Sequence, residues 1–177
     1  DSDTAIVVQP RFTGALLVEA APSDISARDR LYIAVTLQLN DGRQLHYRDI
    51  RRLGTVTLLS SAELTRELAS LGPEPLDPEL TAERFSVSLR KSGQAVKKVL
   101  MDQRVLAGVG NIYANEACWA ARIDPSRAAS SLSPRESADL LASIRSVLAA
   151  SIALRGTSFR DYVDASGGKM GSMRPTR

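Results

Sequence analysis

At 177 residues, 44% hydrophobic and 24% charged, the chain holds enough apolar material for one packed domain or two small ones, which excludes global disorder. Its net charge of +3 and sequence pI of about 9.3 permit a nucleic-acid partner without requiring one. No apolar run reaches membrane-spanning length and no basic-then-apolar leader precedes the first strand, so a soluble, cytoplasmic protein is expected; one Cys and one His exclude an internal disulfide and a four-ligand zinc site, so neither metal nor cofactor is expected.

The first third reads as β-structure. Short apolar runs cover Ala5 to Val8 and Ala15 to Val18. Leu31, Ile33, Val35, Leu37 and Leu39 alternate with Tyr32, Ala34, Thr36 and Gln38, the period-two pattern of a half-buried antiparallel strand. Asn40-Asp41-Gly42-Arg43 then carries the Asp-Gly pair that suits a tight hairpin turn. The chain returns over Gln44 to Arg48, where His46 is expected as a solvated or hydrogen-bonded strand residue rather than a catalytic base. Thr55 to Leu59 adds another β-prone run. So few strands leave open edges, consistent with a sandwich cut at its N-terminal side.

Ser61 to Leu71 is predicted as a short helix, with Ser61 as its cap and Leu64, Leu68 and Leu71 on one face. The prolines of Gly72-Pro73-Glu74-Pro75-Leu76-Asp77-Pro78 remove donors and restrict the residues before them, which marks an interdomain linker. The second half reads as α. Helices are predicted over Thr81 to Leu89, over Gln94 to Asp102, and from a capping Asn111 through Trp119 to Arg122, with a break at Asp124-Pro125. Ser133-Pro134-Arg135-Glu136 supplies a cap, a first-turn proline and a Glu three residues after the cap. Leu140, Leu141, Ile144, Val147, Leu148 and Ile152 then form an apolar face, and Gly156 a stop. Cys118, between Ala117 and Trp119, reads as a small core residue. Lys169 to Arg177 reads as a mobile tail. The expected organisation is a β domain over residues 1–60, a short helix and linker over 61–80, and a helical domain over 81–177.

Four stretches carry candidate chemistry. Gly108-Val109-Gly110-Asn111 is either a tight helix–helix corner or a turn whose freed N–H groups and Asn111 amide face a phosphate, with Lys97 and Lys98 one helix upstream. Asp49-Ile50-Arg51-Arg52-Leu53-Gly54 is a solvated strand end or a basic contact loop. Gln9-Pro10-Arg11-Phe12-Thr13-Gly14 reads by itself as a strand turn with an inward Phe12. Gly156-Thr157-Ser158-Phe159-Arg160-Asp161-Tyr162, followed by Asp164 to Lys169, holds either a surface Arg160–Asp161 pair or a further anion contact.

Taken together, from about Arg11 to Lys169, these stretches resemble the formamidopyrimidine-DNA glycosylase / endonuclease VIII family. The match is dense at Met101-Asp102-Gln103, at Gly108 to Tyr113 and at Glu116-Ala117, which resemble the family's helix–two-turn–helix. The implied fold class is α+β: a partial antiparallel β-sandwich followed by a helix–two-turn–helix α-helical bundle. The resemblance implies that Lys97 and Asn111, with the backbone at Gly108 and Gly110, hold phosphates flanking a damaged nucleotide; Lys98 stands where relatives often carry another residue. Arg51 matches an arginine that reads the base opposite the lesion, and Arg52 follows it on the DNA. Leu53 stands at the position of a wedging Phe, and Phe12 at that of a Met in a His-Leu-x-Met-Thr-Gly stretch, with Gln9 in place of the His. Such side chains fill the hole left by an everted base and offset lost stacking. Arg160 is implied near a phosphate or the extruded base, where a flexible loop begins; Met170-Gly171-Ser172-Met173 replaces that loop's Pro-Gly-Tyr continuation.

The family's N-terminal proline amine, its adjacent glutamate and an assisting lysine would all precede residue 1, and its zinc ribbon would follow Lys169. Residues 1–177 by themselves are therefore expected to bind rather than to cleave. The expected partner is damaged or abasic double-stranded DNA, and the expected role is DNA binding in base-excision repair at the nucleoid. The alternatives are a fragment of an active bifunctional DNA glycosylase/AP lyase acting on oxidised purines, or an RNA- or protein-binding helix–two-turn–helix module.

Overall fold

The computed structural model describes residues 3–11 and 13–154; Phe12, Gly156, Arg160 and the predicted tail lie outside the described residues. The described residues divide into two compact units, one reaching Leu64 and the other spanning Thr65–Ala153.

The first unit is built on antiparallel pairs. Strand β1 (Thr4–Gln9) pairs with β5 (Thr55–Ser60) as a two-stranded sheet, with Val7 opposite Thr57. Strands β2 (Gly14–Glu19), β3 (Ile33–Gln38) and β4 (Gln44–Asp49) form a second sheet in the order β2-β4-β3. The alternation read along β3 is realised: Ile33, Val35 and Leu37 are half-buried while Ala34, Thr36 and Gln38 are exposed. Gly42 takes φ +86°, the left-handed conformation that the hairpin turn requires. As the central strand, β4 is covered on both faces and buries His46, Tyr47, Arg48 and Asp49. His46 is indeed hydrogen-bonded, with Nδ1 2.8 Å from Thr36 Oγ1 and Nε2 2.7 Å from Glu19 Oε2; Glu19 also pairs with Arg30. A short helix α1 (Ala27–Arg30) adds to the elements expected from the sequence. Ser26 caps it by accepting the Asp29 N–H at 3.0 Å.

Helix α2 (Ser61–Ala69) begins one residue later than its cap. That cap is Ser60, not Ser61: the Ser60 N–H donates to Glu63 Oε2 at 2.8 Å and Ser60 Oγ accepts the Glu63 N–H at 3.3 Å.

The second unit is helical: α3 (Ala82–Arg90), α4 (Val96–Met101), α5 (Asn111–Ala120) and α6 (Pro134–Ala153), with a single 3₁₀ turn at Ala129–Ser131. Thr81 caps α3. The capping box at α6 forms as the sequence proposes, with the Ser133 N–H donating to Glu136 Oε2 at 2.8 Å and the Glu136 N–H to Ser133 Oγ at 3.2 Å. Phe85, Leu89, Val96, Leu100, Leu106, Leu140 and Ile144 make one core with Cys118. Each large apolar side chain buried there contributes roughly 1.5–3 kcal/mol. Trp119, one residue and about 100° around α5 from the buried Cys118, is exposed instead. The apolar face of α6 is buried at Leu140, Leu141 and Ile144, half-buried at Val147 and Leu148, and lapses at Ile152.

The proline-rich segment is held against this unit by its carbonyls, the groups that proline leaves available. Arg145 donates to Pro75 O at 2.8 Å, to Asp77 O at 3.0 Å and to Leu80 O at 2.8 Å. Gly72 donates to Gln103 O at 2.8 Å, and a Cβ on Gly72 would stand 2.7 Å from the Arg104 carbonyl oxygen. Among the described residues no helix is long and apolar enough to cross a membrane.

Candidate nucleic-acid interface

In the helical unit the glycine turn is shaped by one side chain. Gln103 accepts the Gly108 N–H at 2.8 Å through Oε1 and donates through Nε2 to Val109 O at 2.9 Å and Met101 O at 3.0 Å. Gly108 adopts φ +83°, where a side chain would be strained. Gly110 does not: its φ of −111° is open to any residue, and a Cβ there would meet nothing within 4 Å. The fold therefore places no demand for glycine at Gly110, and what its missing Cβ leaves is room at the start of α5.

The sequence points to Asn111 as the cap of α5. Gly110 holds the N-cap position instead, and Asn111 is the first helical residue, exposed, with no side-chain capping bond at that end. The reason is spacing: the turn runs extended through Gly110, so helical geometry starts one residue later. The N–H groups of Asn111, Ile112 and Tyr113 consequently have no acceptor among the described residues. Ser26, Thr81 and Ser133 close the corresponding positions of α1, α3 and α6. An open helix start of this kind presents unpaired donors and the positive end of the helix dipole.

Lys97 and Lys98 lie on α4, which packs against α5. Lys97 is half-buried; burial pushes the Cys118 thiol up, and the Lys97 ammonium opposes that rise. Lys98 is exposed and lines an open groove of about 290 Å³ with Lys91, Ser92, Gln94, Asp102 and Arg104. Neither lysine has an ion pair among the described residues, whereas Arg104 is clamped by Asp102 at 2.8 Å. That side-chain bond, with the Arg104 N–H, holds the Asp102 carboxyl at about 2.

In the β unit, Arg51, Arg52 and Leu53 are all exposed on the β4–β5 loop, and Arg52 takes φ +51°. Arg11, on the β1–β2 loop, takes φ +52°. Left-handed backbone at a residue other than glycine costs of order 1 kcal/mol and persists only where surroundings hold it. The holder here is Asp49, 1% exposed. Its Oδ1 accepts Thr13 Oγ1–H at 2.6 Å and the Arg51 N–H at 3.2 Å; its Oδ2 accepts the Gly54 N–H at 2.8 Å and the Tyr47 hydroxyl at 3.2 Å. Tyr47 in turn fills the notch left by two glycines, since a Cβ on Gly54 or Gly14 would stand 1.9 or 2.6 Å from its hydroxyl oxygen. Sequence reasoning does not single out Thr13, Tyr47, Asp49 or Gln103 as organisers. Thr13, Asp49 and Gln103 stand inside the singled-out stretches, but no local signal shows what their side chains bind.

Each unit thus carries its own candidates, Lys97, Gly108, Gly110 and Asn111 on α4, the glycine turn and α5 of one, and Arg51, Arg52 and Leu53 on the β4–β5 loop of the other. Residues 71–163 match the formamidopyrimidine-DNA glycosylase H2TH domain. The chain belongs to the formamidopyrimidine-DNA glycosylase / endonuclease VIII family. The formamidopyrimidine-DNA glycosylase of Herpetosiphon aurantiacus is 40% identical over 167 residues, 94% of this chain and 60% of that protein. That of Moorella thermoacetica is 42% identical over 164 residues, 92% of this chain and 58% of that protein. Among solved structures, MutM (Fpg) from Thermus thermophilus superposes with a TM-score of 0.82 at 33% identity, covering 97% of this chain and 62% of that one. A Lactococcus lactis Fpg in complex with DNA containing an abasic site gives 0.81 at 28% identity, covering 94% and 60%. The chain spans about 60% of the length of these glycosylase relatives. The family's zinc ribbon would follow Lys169, outside the described residues; among the described residues no three His, Cys, Asp or Glu side chains stand together to hold a metal.

Proposed function

We propose that this chain binds damaged or abasic double-stranded DNA in base-excision repair. Lys97 and the open start of α5, with Gly108, Gly110 and Asn111, take the phosphates. Arg51 and Arg52 enter the duplex, and Leu53 fills the gap left by the everted nucleotide. Phe12 and Arg160 join this reading on the family resemblance alone. The observation that carries it is the bare N-terminus of α5. Three backbone donors lack acceptors among the described residues, Gly110 is a glycine without a conformational reason, and the match to the H2TH domain covers both. A phosphate supplies the missing acceptors and uses the room above Gly110. Such a role belongs with DNA in the cytoplasm.

The test is titration of an abasic duplex over a salt series. Affinity should fall steeply, with a slope of about −0.9 per neutralised phosphate. Lys97→Ala should reduce the slope by about one unit, and an unchanged slope removes Lys97 from the interface. The relatives' activity, at 40% identity over 94% of the chain, supports a second reading, a portion of a bifunctional glycosylase/AP lyase. Borohydride trapping on the same duplex separates the two. A covalent adduct supports the lyase, and binding without an adduct supports the binding role.

A further inference from the structure

The two β-unit loops share one hydrogen-bonded centre. The Arg51 N–H is bifurcated, reaching Thr13 Oγ1 at 3.1 Å and Asp49 Oδ1 at 3.2 Å, while Thr13 Oγ1 itself donates to Asp49 Oδ1 at 2.6 Å. The backbone position of Arg51 is therefore set by a side chain of the other loop, 38 residues earlier in the chain. Thr13 is tied from its carbonyl as well, which accepts from the buried Arg48 guanidinium at 3.4 Å. Thr13 and Asp49 are 5% and 1% exposed, so neither can touch a duplex, while Arg51, Arg52 and Leu53 all project into solvent.

We propose that Thr13 and Asp49 are positioning residues that lock the β1–β2 and β4–β5 loops into one reader of the base opposite the damaged nucleotide. This rests on the DNA-binding reading above and extends it. A guanidinium reads a base edge only when its backbone is held within a fraction of an ångström. On two exposed loops, each with a left-handed residue, at position 11 and at position 52, that precision needs an internal anchor. The Thr13–Asp49–Arg51 triangle is such an anchor, and it spans both loops. Loss of the Thr13 hydroxyl leaves Arg51 on the surface with its charge intact. The phosphate term should survive and the discrimination should not.

The experiment uses the whole 177-residue chain and labelled duplexes carrying a tetrahydrofuran abasic analogue opposite dC or dA. The ratio of the two dissociation constants and the salt slope are measured for wild type, Thr13→Val and Thr13→Ser. Thr13→Val should bring the ratio at least about fivefold closer to one, at an unchanged salt slope. Thr13→Ser, which keeps the hydroxyl, should restore it. A ratio unmoved in Thr13→Val, or lost equally in Thr13→Ser, overturns the proposal. So does a wild-type chain that prefers abasic duplex but ignores the opposite base. A wild-type chain indifferent to the abasic site overturns the DNA-binding reading itself, and this proposal with it. Amide exchange in the free wild-type protein gives an arm that needs no variant to fold. The Arg51 N–H should exchange at least about tenfold more slowly than that of Arg52, and equal rates overturn the coupling.

Discussion

A carboxylate buried as deeply as Asp49 should be driven towards its neutral form. Burial does push its pKa up, but donors from Thr13, Gly54, Tyr47 and Arg51 outweigh that and hold it at about 2, against an ordinary 3.8. The same contact pushes the Tyr47 hydroxyl up, through burial first and then the Asp49 charge. The sign of the pH effect follows. Because the folded-state pKa is depressed, the stability contributed by Asp49 is complete above the unfolded value of 3.8 and is lost as pH falls towards 2. The lost amount is ~2 kcal/mol. Asp49→Asn should therefore be clearly less stable than wild type at about pH 6, and the gap should narrow by about that amount between roughly pH 4 and pH 2. Urea unfolding of both chains at several pH values checks it. The difference cancels the other acid-sensitive carboxyls, among them Glu136, which Arg127 and Ser133 hold at about 2. A gap constant with pH would show that the Asp49 charge is not what the four donors serve.

At the level of elements, the starts of α5 and α6 make opposite choices. Ser133 and Glu136 close α6, and Arg127 adds a bond to Glu136 at 3.0 Å. Gly110 leaves α5 open. Ser133→Ala should cost about 1 kcal/mol, seen as a lower urea midpoint, without altering affinity for an abasic duplex. Gly110→Ser should do the reverse. Its backbone already suits a capping serine, so stability should rise by a few tenths of a kcal/mol while duplex affinity falls. Should affinity hold in the capped variant, the α5 donors are not the phosphate site. The elements themselves are legible where the signal is local: the alternation of β3, the Asp-Gly turn, the Ser-Pro-x-Glu start of α6. Boundaries slip where two similar residues compete for a cap, Ser60 against Ser61 and Gly110 against Asn111, because only the course of the incoming chain decides between them. Helix α1 carries its Ser26-x-x-Asp29 cap in plain view, but four residues present no periodicity to read. Of the candidate site, Lys97, Gly108, Arg51 and Arg52 can be singled out from residue type and family pattern. Asp49 cannot be recognised as an organiser, since its partner Thr13 lies 36 residues earlier and meets it only once β2 has paired with β4.

For the molecule as a whole, the two units are stabilised by different means, and that difference is measurable. The helical unit has a continuous apolar core, with Leu89, Val96, Leu100, Leu106 and Leu140 fully enclosed. Among the described residues of the β unit the buried apolar ones are Leu17, Ile25 and Tyr47, and they share the interior with Thr13, His46, Arg48 and Asp49. Apolar burial is indifferent to pH, but a buried polar network depends on its charges. The Glu19 pKa is lowered by the Arg30 bond and then by the His46 bond, and Asp49 is lowered as well, so both carboxylates favour folding above about pH 4 and cease to do so in acid. Protonation also adds to a net charge that is already +3, which raises self-repulsion. Hydrogen exchange followed by mass spectrometry at about pH 7 should show amides of α3, α5 and α6 more than about tenfold better protected than those of β1 and β5. As the pH is lowered towards about 3, with rates corrected for intrinsic exchange, protection should leave β2, β4 and β5 while the helical unit keeps its own. Loss of protection in both units at one pH would mean that they fold as one cooperative body. The Asp49 network would then report on the stability of the entire chain rather than of the loops it joins.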